Sequence, residues 1–403
     1  MNISDLQNAA DYCRNSNFYR RKLAGYPHAI SCIEDFQALP FTTKTEIRKT
    51  NPMEFVAVAP ECISRVHSSS GTKGLPSMTF YTDRDIVRWS DHLQRPFRSA
   101  GLHSGDVFQN MVGFGMFSGG LGFQTAAENY GLKVIPIGPG NTERQIRFLI
   151  DFKVNSFISI SNYIPIMIEY MRIHNIDPKK GMRLKAIFIG AEPFNPIEKK
   201  KWSEFFGVPI LGIYGMSEIE GPGIAYEEAG LPGMCICTDD FYVEILDPYS
   251  GKVLPIGSEG EIVVTTLRRE AMPLLRFRTG DVSRLIRDSS KSSIRSIRLD
   301  YVTHRIDDMV IIKGVNIFPD EMERIIHLFS EIYHFFEMVV AKNDEMKIRL
   351  SLRDVGSDIC LIEKRLESEI KKWLFINVSV EWMPVSYFME KNGKRISVID
   401  NRK

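Results

Sequence analysis

The chain has 403 residues, 44% of them hydrophobic and 25% charged, with a formal net charge of +1. That length exceeds one ordinary domain and points to two or three compact units, each burying its own core. The even charge excludes a global field that would recruit nucleic acid or an anionic membrane, so basic clusters such as Lys199, Lys200 and Lys201 read as solvated faces.

Residues 1–65 read as helix and loop. The first segment lacks the basic start and apolar run of a signal peptide. From about residue 105 short apolar runs alternate with longer amphipathic stretches. Strands are expected at 106–111, 133–137, 156–160, 185–189 and 208–213, with helices at 142–152 and 163–174 between them. Strands spaced by helices imply βαβ units and a mostly parallel sheet. Glycines follow several of these strands (Gly113, Gly138, Gly190 and Gly215), where backbone can approach a ligand closely. From about 240 the texture is β-rich, with strands expected at 241–246 and 261–266 around an Asp-Pro-Tyr-Ser-Gly turn. A fresh α+β unit begins near 310, with strands at 309–312, 336–342 and 346–352 and helices at 319–329 and 358–373. No apolar run spans a bilayer. The six cysteines have neither a disulfide nor a metal-ligand spacing, which fits a reducing, cytoplasmic setting.

Four patterns carry chemistry. His67-Ser-Ser-Ser-Gly-Thr-Lys-Gly-Leu-Pro76 combines hydroxyls, glycines and a lysine, a composition suited to cradling phosphates, although the Walker spacing is absent. Tyr214-Gly-Met-Ser-Glu218 puts a carboxylate at a strand end, where it could hold magnesium between phosphates. Arg276-Phe-Arg-Thr-Gly-Asp281 offers an acceptor pair for a ribose diol. Lys391-Asn-Gly-Lys394-Arg395 offers a lysine beside a glycine turn. Taken singly, each also fits a plain role: a surface loop, a helix-start glutamate, a turn aspartate, a basic tail.

Together, in this order, they resemble the superfamily of adenylate-forming ligases, and within it the phenylacetate–CoA ligase branch. Leu39-Pro-Phe-Thr-Thr-Lys44, Gly113-Phe-Gly-Met-Phe-Ser-Gly-Gly120, Gly140-Asn-Thr-Glu-Arg-Gln145, Gly190-Ala-Glu-Pro193, Thr265-Thr-Leu267, Arg305-Ile-Asp-Asp-Met309 and Lys313-Gly-Val-Asn-Ile-Phe-Pro319 extend the likeness from about residue 35 to the C-terminus. The resemblance implies an α/β fold: a large adenylation domain over 1–306, with mostly parallel sheets, helices and a β-rich subdomain, and a small mobile α+β lid over 307–403. It implies ATP-dependent conversion of a carboxylic acid, aromatic or arylacetic, to acyl-AMP and pyrophosphate, then transfer to a thiol, usually that of coenzyme A. The alternatives are delivery to a carrier-protein pantetheine or an amine, and a non-catalytic nucleotide-binding protein. The oligomeric state is open, a homodimer included.

Carried over by position, Ser68, Ser69, Ser70, Gly71, Thr72, Lys73 and Gly74 would hold the phosphates. Gly190, Ala191, Glu192 and Pro193, with Tyr214, Gly215, Met216 and Ser217, would frame the adenine. Glu218 would bind Mg2+, Asp281 the ribose hydroxyls, and Arg305 would lie near ribose and phosphate. Lys394 would bridge the carboxylate and the α-phosphate. Phe114, Met116, Phe117, Tyr163 and Ala191 would line the acyl pocket. Asp307 matches the hinge, and Lys313 and Gly314 the thiol channel. Three departures stand out. Thr72-Lys73-Gly74-Leu75 replaces the usual Thr-Thr-Gly-Lys, and His304 replaces a glycine before the arginine. The branch's metal-site Glu-Cys and Cys-x-Cys-Gly segments become Glu227-Glu228 and Ser289-Ser290-Lys291-Ser292, so with only Cys235 and Cys237 nearby no structural zinc is expected.

Overall fold

A computed structural model describes the chain except residues 1, 69–76, 117, 193, 289–296, 307–309, 313–314, 342–344, 354–357, 391–395 and 403. By contacts it divides into two units, Met1–Thr279 with Ser283–Tyr301, and Gly280–Val282 with Val302–Lys403.

The first unit is built on a nine-stranded sheet. Its parallel run orders Lys133–Ile135, Val107–Asn110, Ser156–Ile160, Ala186–Gly190 and Ile210–Met216. It continues antiparallel through Gly221–Glu227, Met234–Ile236, Ile297–Leu299 and Leu285–Arg287. The central parallel strands are buried on both faces, as strands covered by helices are. Phe157, Ile187 and Ile189 pack with Leu149, Met167, Met171 and Trp202 from flanking helices in one core. The chain leaves Val107–Asn110 for the strand on one side, Lys133–Ile135, and later returns to the strand on the other, Ser156–Ile160. That is a topological switch point, where a crevice opens beyond the strand ends.

A second sheet, in this unit except for Gly280–Val282, orders Thr42–Thr43, Phe277–Ser283, Gly260–Thr266 and Phe241–Leu246. Arg276 secures its entry. Its guanidinium is buried, pairs with Glu244 at 3.1 Å through two nitrogens, donates to the carbonyls of Gln37 and Leu39, and stacks 4.3 Å from the Phe41 ring. These contacts hold Arg276 at φ 45°, an uncommon left-handed position for a side-chain-bearing residue. Burial raises the Glu244 pKa, with Arg276 opposing it. Arg276→Met should therefore cost about 3–5 kcal/mol, because it strands a buried charge, and a second change, Glu244→Met, should recover part of the loss. Denaturant midpoints of the three variants check this.

In the second unit a four-stranded sheet orders Val378–Trp382, Met346–Leu352, Ile332–Val340 and Ile396–Asp400. The helix Ile359–Leu374 lays Ile362, Leu366, Ile370 and Leu374 on one buried face, a four-residue spacing that gives a helical stripe. The helix Pro319–Ile326 opens on proline, whose missing N–H costs nothing in a first turn. His304 packs its ring 4.4 Å from Phe318. Among the described residues no helix is long and apolar enough to cross a membrane.

Candidate functional site

The hairpin of Arg65–Ser68 and Met78–Tyr81 pairs Ser68 with Met78, so the two ends of the 69–76 segment are fixed side by side. Of the expected phosphate-loop residues, Ser68 is described. It is buried, and its N–H donates to the Met116 carbonyl at 2.9 Å. Ser69, Ser70, Gly71, Thr72, Lys73 and Gly74 lie outside the described residues.

Adjacent parallel strands deliver the expected adenine-framing residues. Gly190 ends one strand and pairs with Ile213 of the next, and a Cβ on Gly190 would sit 2.8 Å from the Ile213 carbonyl oxygen. A Cβ on Gly215 would sit 2.2 Å from the Gly221 oxygen. Both positions therefore demand glycine for close backbone approach. Ala191 follows at φ 69°, a strained value for a residue with a Cβ. The next carboxylate, Glu192, is bonded by the Asn162 amide, and its carbonyl accepts from Ser161 Oγ at 3.2 Å. Pro193 lies outside the described residues.

After Met216 the chain turns through Ser217 and Glu218 to Glu220, and neighbouring side chains fasten this turn. Thr79 Oγ1 donates to the Ser217 carbonyl at 2.8 Å, the Tyr81 hydroxyl to the Glu220 carbonyl at 2.7 Å, and Trp89 Nε1 to the Pro222 carbonyl at 2.9 Å. Ser118 Oγ lies 3.1 Å from Ser217 Oγ. Burial pushes the Glu220 carboxyl up to about 7, against the pull of His92, whose Nε2 is 3.6 Å away. Glu218 itself is 6% exposed, and no described side chain bonds or pairs with its carboxylate. A hard divalent cation with oxygen ligands is the partner such a group fits, so this residue suits Mg2+.

The expected acyl-pocket residues fall on the loops at the switch point. Phe114 and Met116 follow Val107–Asn110, and Tyr163 opens the helix after Ser156–Ile160. Met116 is 48% exposed, and Phe114 is half-buried, with its ring against Gly138. Tyr163 is half-buried. Its hydroxyl donates to Thr142 Oγ1 at 2.9 Å, and burial raises its pKa. Phe117 is outside the described residues.

In the second unit Asp281 and Arg305 are register partners on antiparallel strands, and their side chains form an ion pair. The expected ribose carboxylate is thus held by the expected ribose-side arginine. Asp307, Lys313, Gly314 and Lys394 fall outside the described residues.

Of the residues standing in for the branch's metal ligands, Ser289, Ser290, Lys291 and Ser292 lie outside the described residues, while Glu227 and Glu228 have protein partners. The Glu227 carboxylate takes Lys199, the Tyr301 hydroxyl and the Gly212 N–H, and Glu228 takes the buried Arg298 guanidinium at 2.7 Å. Sequence reasoning missed the residues that fasten the turn: Thr79, Tyr81, Trp89 and Ser118. A signal existed for two of them, since Thr79 and Tyr81 sit two apart in a short β-branched and aromatic run just after the loop.

A model of the AMP-binding enzyme family matches residues 21–267, and one of the AMP-binding enzyme C-terminal domain matches 314–402. Phenylacetate–coenzyme A ligase of Pseudomonas putida is 34% identical over 401 residues, covering 96% of this chain and 90% of that one. The ligase of the same name from Aromatoleum evansii is 35% identical over 389 residues, covering 94% and 87%. Among solved structures, 2-hydroxyisobutyryl-CoA ligase in its postadenylation state, in complex with R3-HIB-AMP, superposes with a TM-score of 0.87 at 24% identity, covering 99% of this chain and 89% of that one, a likeness of fold. With a glycine-lined strand edge, a buried carboxylate beside it and matches of this extent, the chain belongs to the AMP-binding enzyme family, whose members form acyl-adenylates.

Proposed function

We infer that the protein is an ATP-dependent acid–thiol ligase that activates an aromatic or arylacetic acid as its acyl-AMP and passes the acyl group to coenzyme A. The observation that carries this reading is Glu218, a carboxylate without a described side-chain partner just beyond a strand end lined by Gly190 and Gly215. The phenylacetate–coenzyme A ligase relatives supply the substrate class.

In the first step a carboxylate oxygen attacks the α-phosphorus of ATP, the bond to the bridging oxygen breaks, and pyrophosphate leaves. Both partners are anions, so the barrier is electrostatic and geometric, and the protein's contribution is neutralisation and alignment. Ser68 and the 69–74 segment would hold the phosphates. Glu218 would hold Mg2+, which would supply neutralising charge to the phosphates. The edge at Gly190, Ala191, Tyr214 and Gly215 takes the adenine, and Asp281 the ribose hydroxyls, with Arg305 fixing its carboxylate. Phe114, Met116 and Tyr163 present a flat, largely apolar surface to the acid. In the second step the thiol sulfur attacks the acyl carbon and AMP leaves with the electron pair of the broken bond.

The test is acid-dependent pyrophosphate exchange into ATP over a panel of aryl and arylacetic acids, followed by thioester detection with coenzyme A. Exchange above background with at least one arylacetic acid, and a CoA thioester of that acid, is expected. A panel with no response would sink the reading. Exchange without a CoA thioester would move the acceptor to a carrier-protein pantetheine or an amine.

A further inference from the structure

The two stems of the 69–76 segment are anchored to different turns, and the anchors close on one another. His67 and Thr79 face each other as register partners in the hairpin. From the first stem the Ser68 N–H and His67 Nδ1 both reach the Met116 carbonyl, at 2.9 and 3.1 Å. From the second stem the Thr79 hydroxyl reaches the Ser217 carbonyl at 2.8 Å. Ser118, two residues beyond Met116, meets Ser217 through their hydroxyl oxygens at 3.1 Å. The path from Met116 through His67, Thr79, Ser217 and Ser118 back towards Met116 is therefore a closed circuit. His67, Thr79 and Ser118 are each 3% exposed or less, so water does not compete for these bonds.

The imidazole suits this place. Burial lowers the His67 pKa, which favours the neutral ring, and a carbonyl at Nδ1 requires the proton on that nitrogen. The rings of Tyr81 and Trp89 wall it at 5.2 and 6.1 Å. A ring fixed in this way holds the Met116 carbonyl in one position.

We propose that His67 and Thr79 are positioning residues that make seating of the acid and gripping of the ATP phosphates a single event. The proposal rests on the reading above, in which Met116 belongs to the acid pocket, Ser68 to the phosphate grip and Glu218 to the turn that Thr79 fastens. The circuit joins these corners, so displacing one displaces the others. In-line attack tolerates little misplacement of either anion, which gives such a frame its value.

The experiment compares His67→Phe, which keeps a flat ring between Tyr81 and Trp89 but removes the donor, with Thr79→Val, which removes the hydroxyl at similar volume. KM for the acid and for ATP are measured separately by pyrophosphate exchange, with phenylacetate as the first probe and the other panel acids after it. Each variant should raise both KM values together by about five- to tenfold, the scale of one lost hydrogen bond. The double variant should be little worse than the weaker single one, because a circuit opened once is open. His67→Gln and Thr79→Ser, which retain a donor, should recover most of the loss, and melting temperatures should stay near wild type. A shift in one KM alone, no shift in either, or independent effects that multiply in the double variant would overturn the coupling while leaving the site reading intact. A wild-type protein with no acid-dependent exchange would reject the site reading and the coupling with it.

Discussion

Glu218→Gln should lower acid-dependent pyrophosphate exchange by about 10²–10³-fold, the scale seen when one preorganised electrostatic element is removed from an active site, and should leave the free protein about as stable as wild type. The two halves of this expectation come from the same geometry. The carboxylate is buried, and among the described residues nothing pairs with it. In the complex the same carboxylate is the natural oxygen ligand for the cation that accompanies ATP. The substitution keeps shape and volume, so the contacts of Thr79, Tyr81 and Ser118 to the turn are retained. Three measurements separate this from general damage: the melting temperature of the free protein, the additional stabilisation by ATP with and without Mg2+, and the exchange rate. The expected pattern is an unchanged melting temperature, loss of the Mg2+-dependent part of the ATP stabilisation, and a collapsed rate. A variant that keeps wild-type Mg2+ dependence would move the metal ligand elsewhere on the chain.

Much of the scaffold was legible because apolar strands between amphipathic helices leave a periodic trace. The strands at 156–160, 241–246 and 346–352 stand where the sequence places them. The strands expected at 106–111 and 185–189 appear as Val107–Asn110 and Ala186–Gly190. Asp106 and Lys185, the two lost starting residues, are paired with each other at 2.7 Å. The helix Asp83–Ser99 was not read, since its buried face includes Asp85, Ser90 and His92, which break the apolar period. Those polar groups are buried because they have work to do: Asp85 accepts the N–H groups of Glu270 and Ala271. The helix Ser118–Tyr130 was hidden by its glycines, which read as loop. At Gly122 a Cβ would lie 2.2 Å from the Trp89 ring, so glycine there is a packing requirement. The site divides in the same way. Its ligand-facing residues follow local patterns of glycine, hydroxyl and carboxylate. The residues that fasten its turn come from sequence-distant elements, and only the pairing of His67 with Thr79, and of both with Met116 and Ser217, brings them into view.

Lys394→Ala should reduce acyl-AMP formation by about 10²–10³-fold, while thioester formation from supplied acyl-AMP and coenzyme A stays within about threefold of wild type. The expectation follows from where charge changes. In the first half-reaction a carboxylate and an α-phosphate, both negative, must be brought together, and a single ammonium contacting both is worth most as the new bond forms. In the second half-reaction the acid is already esterified to the phosphate, and a neutral acyl carbon meets a thiolate, so that bridging cation has no comparable task. A group that stabilises only one transition state lowers only that rate. The chain carries another lysine in an anion-binding pattern, Lys73, displaced from its usual position in the phosphate segment. Lys73→Ala is the informative control. A cation that helps hold the phosphates of bound ATP acts on ground state and transition state alike, so its loss should raise KM for ATP and leave kcat largely intact. Measuring the two half-reactions for both variants distinguishes the roles. Equal loss of both half-reactions in Lys394→Ala would show that this lysine supports the fold or the thiol path and not the first step. A kcat collapse in Lys73→Ala with Lys394→Ala unaffected would transfer the bridging role to the displaced lysine.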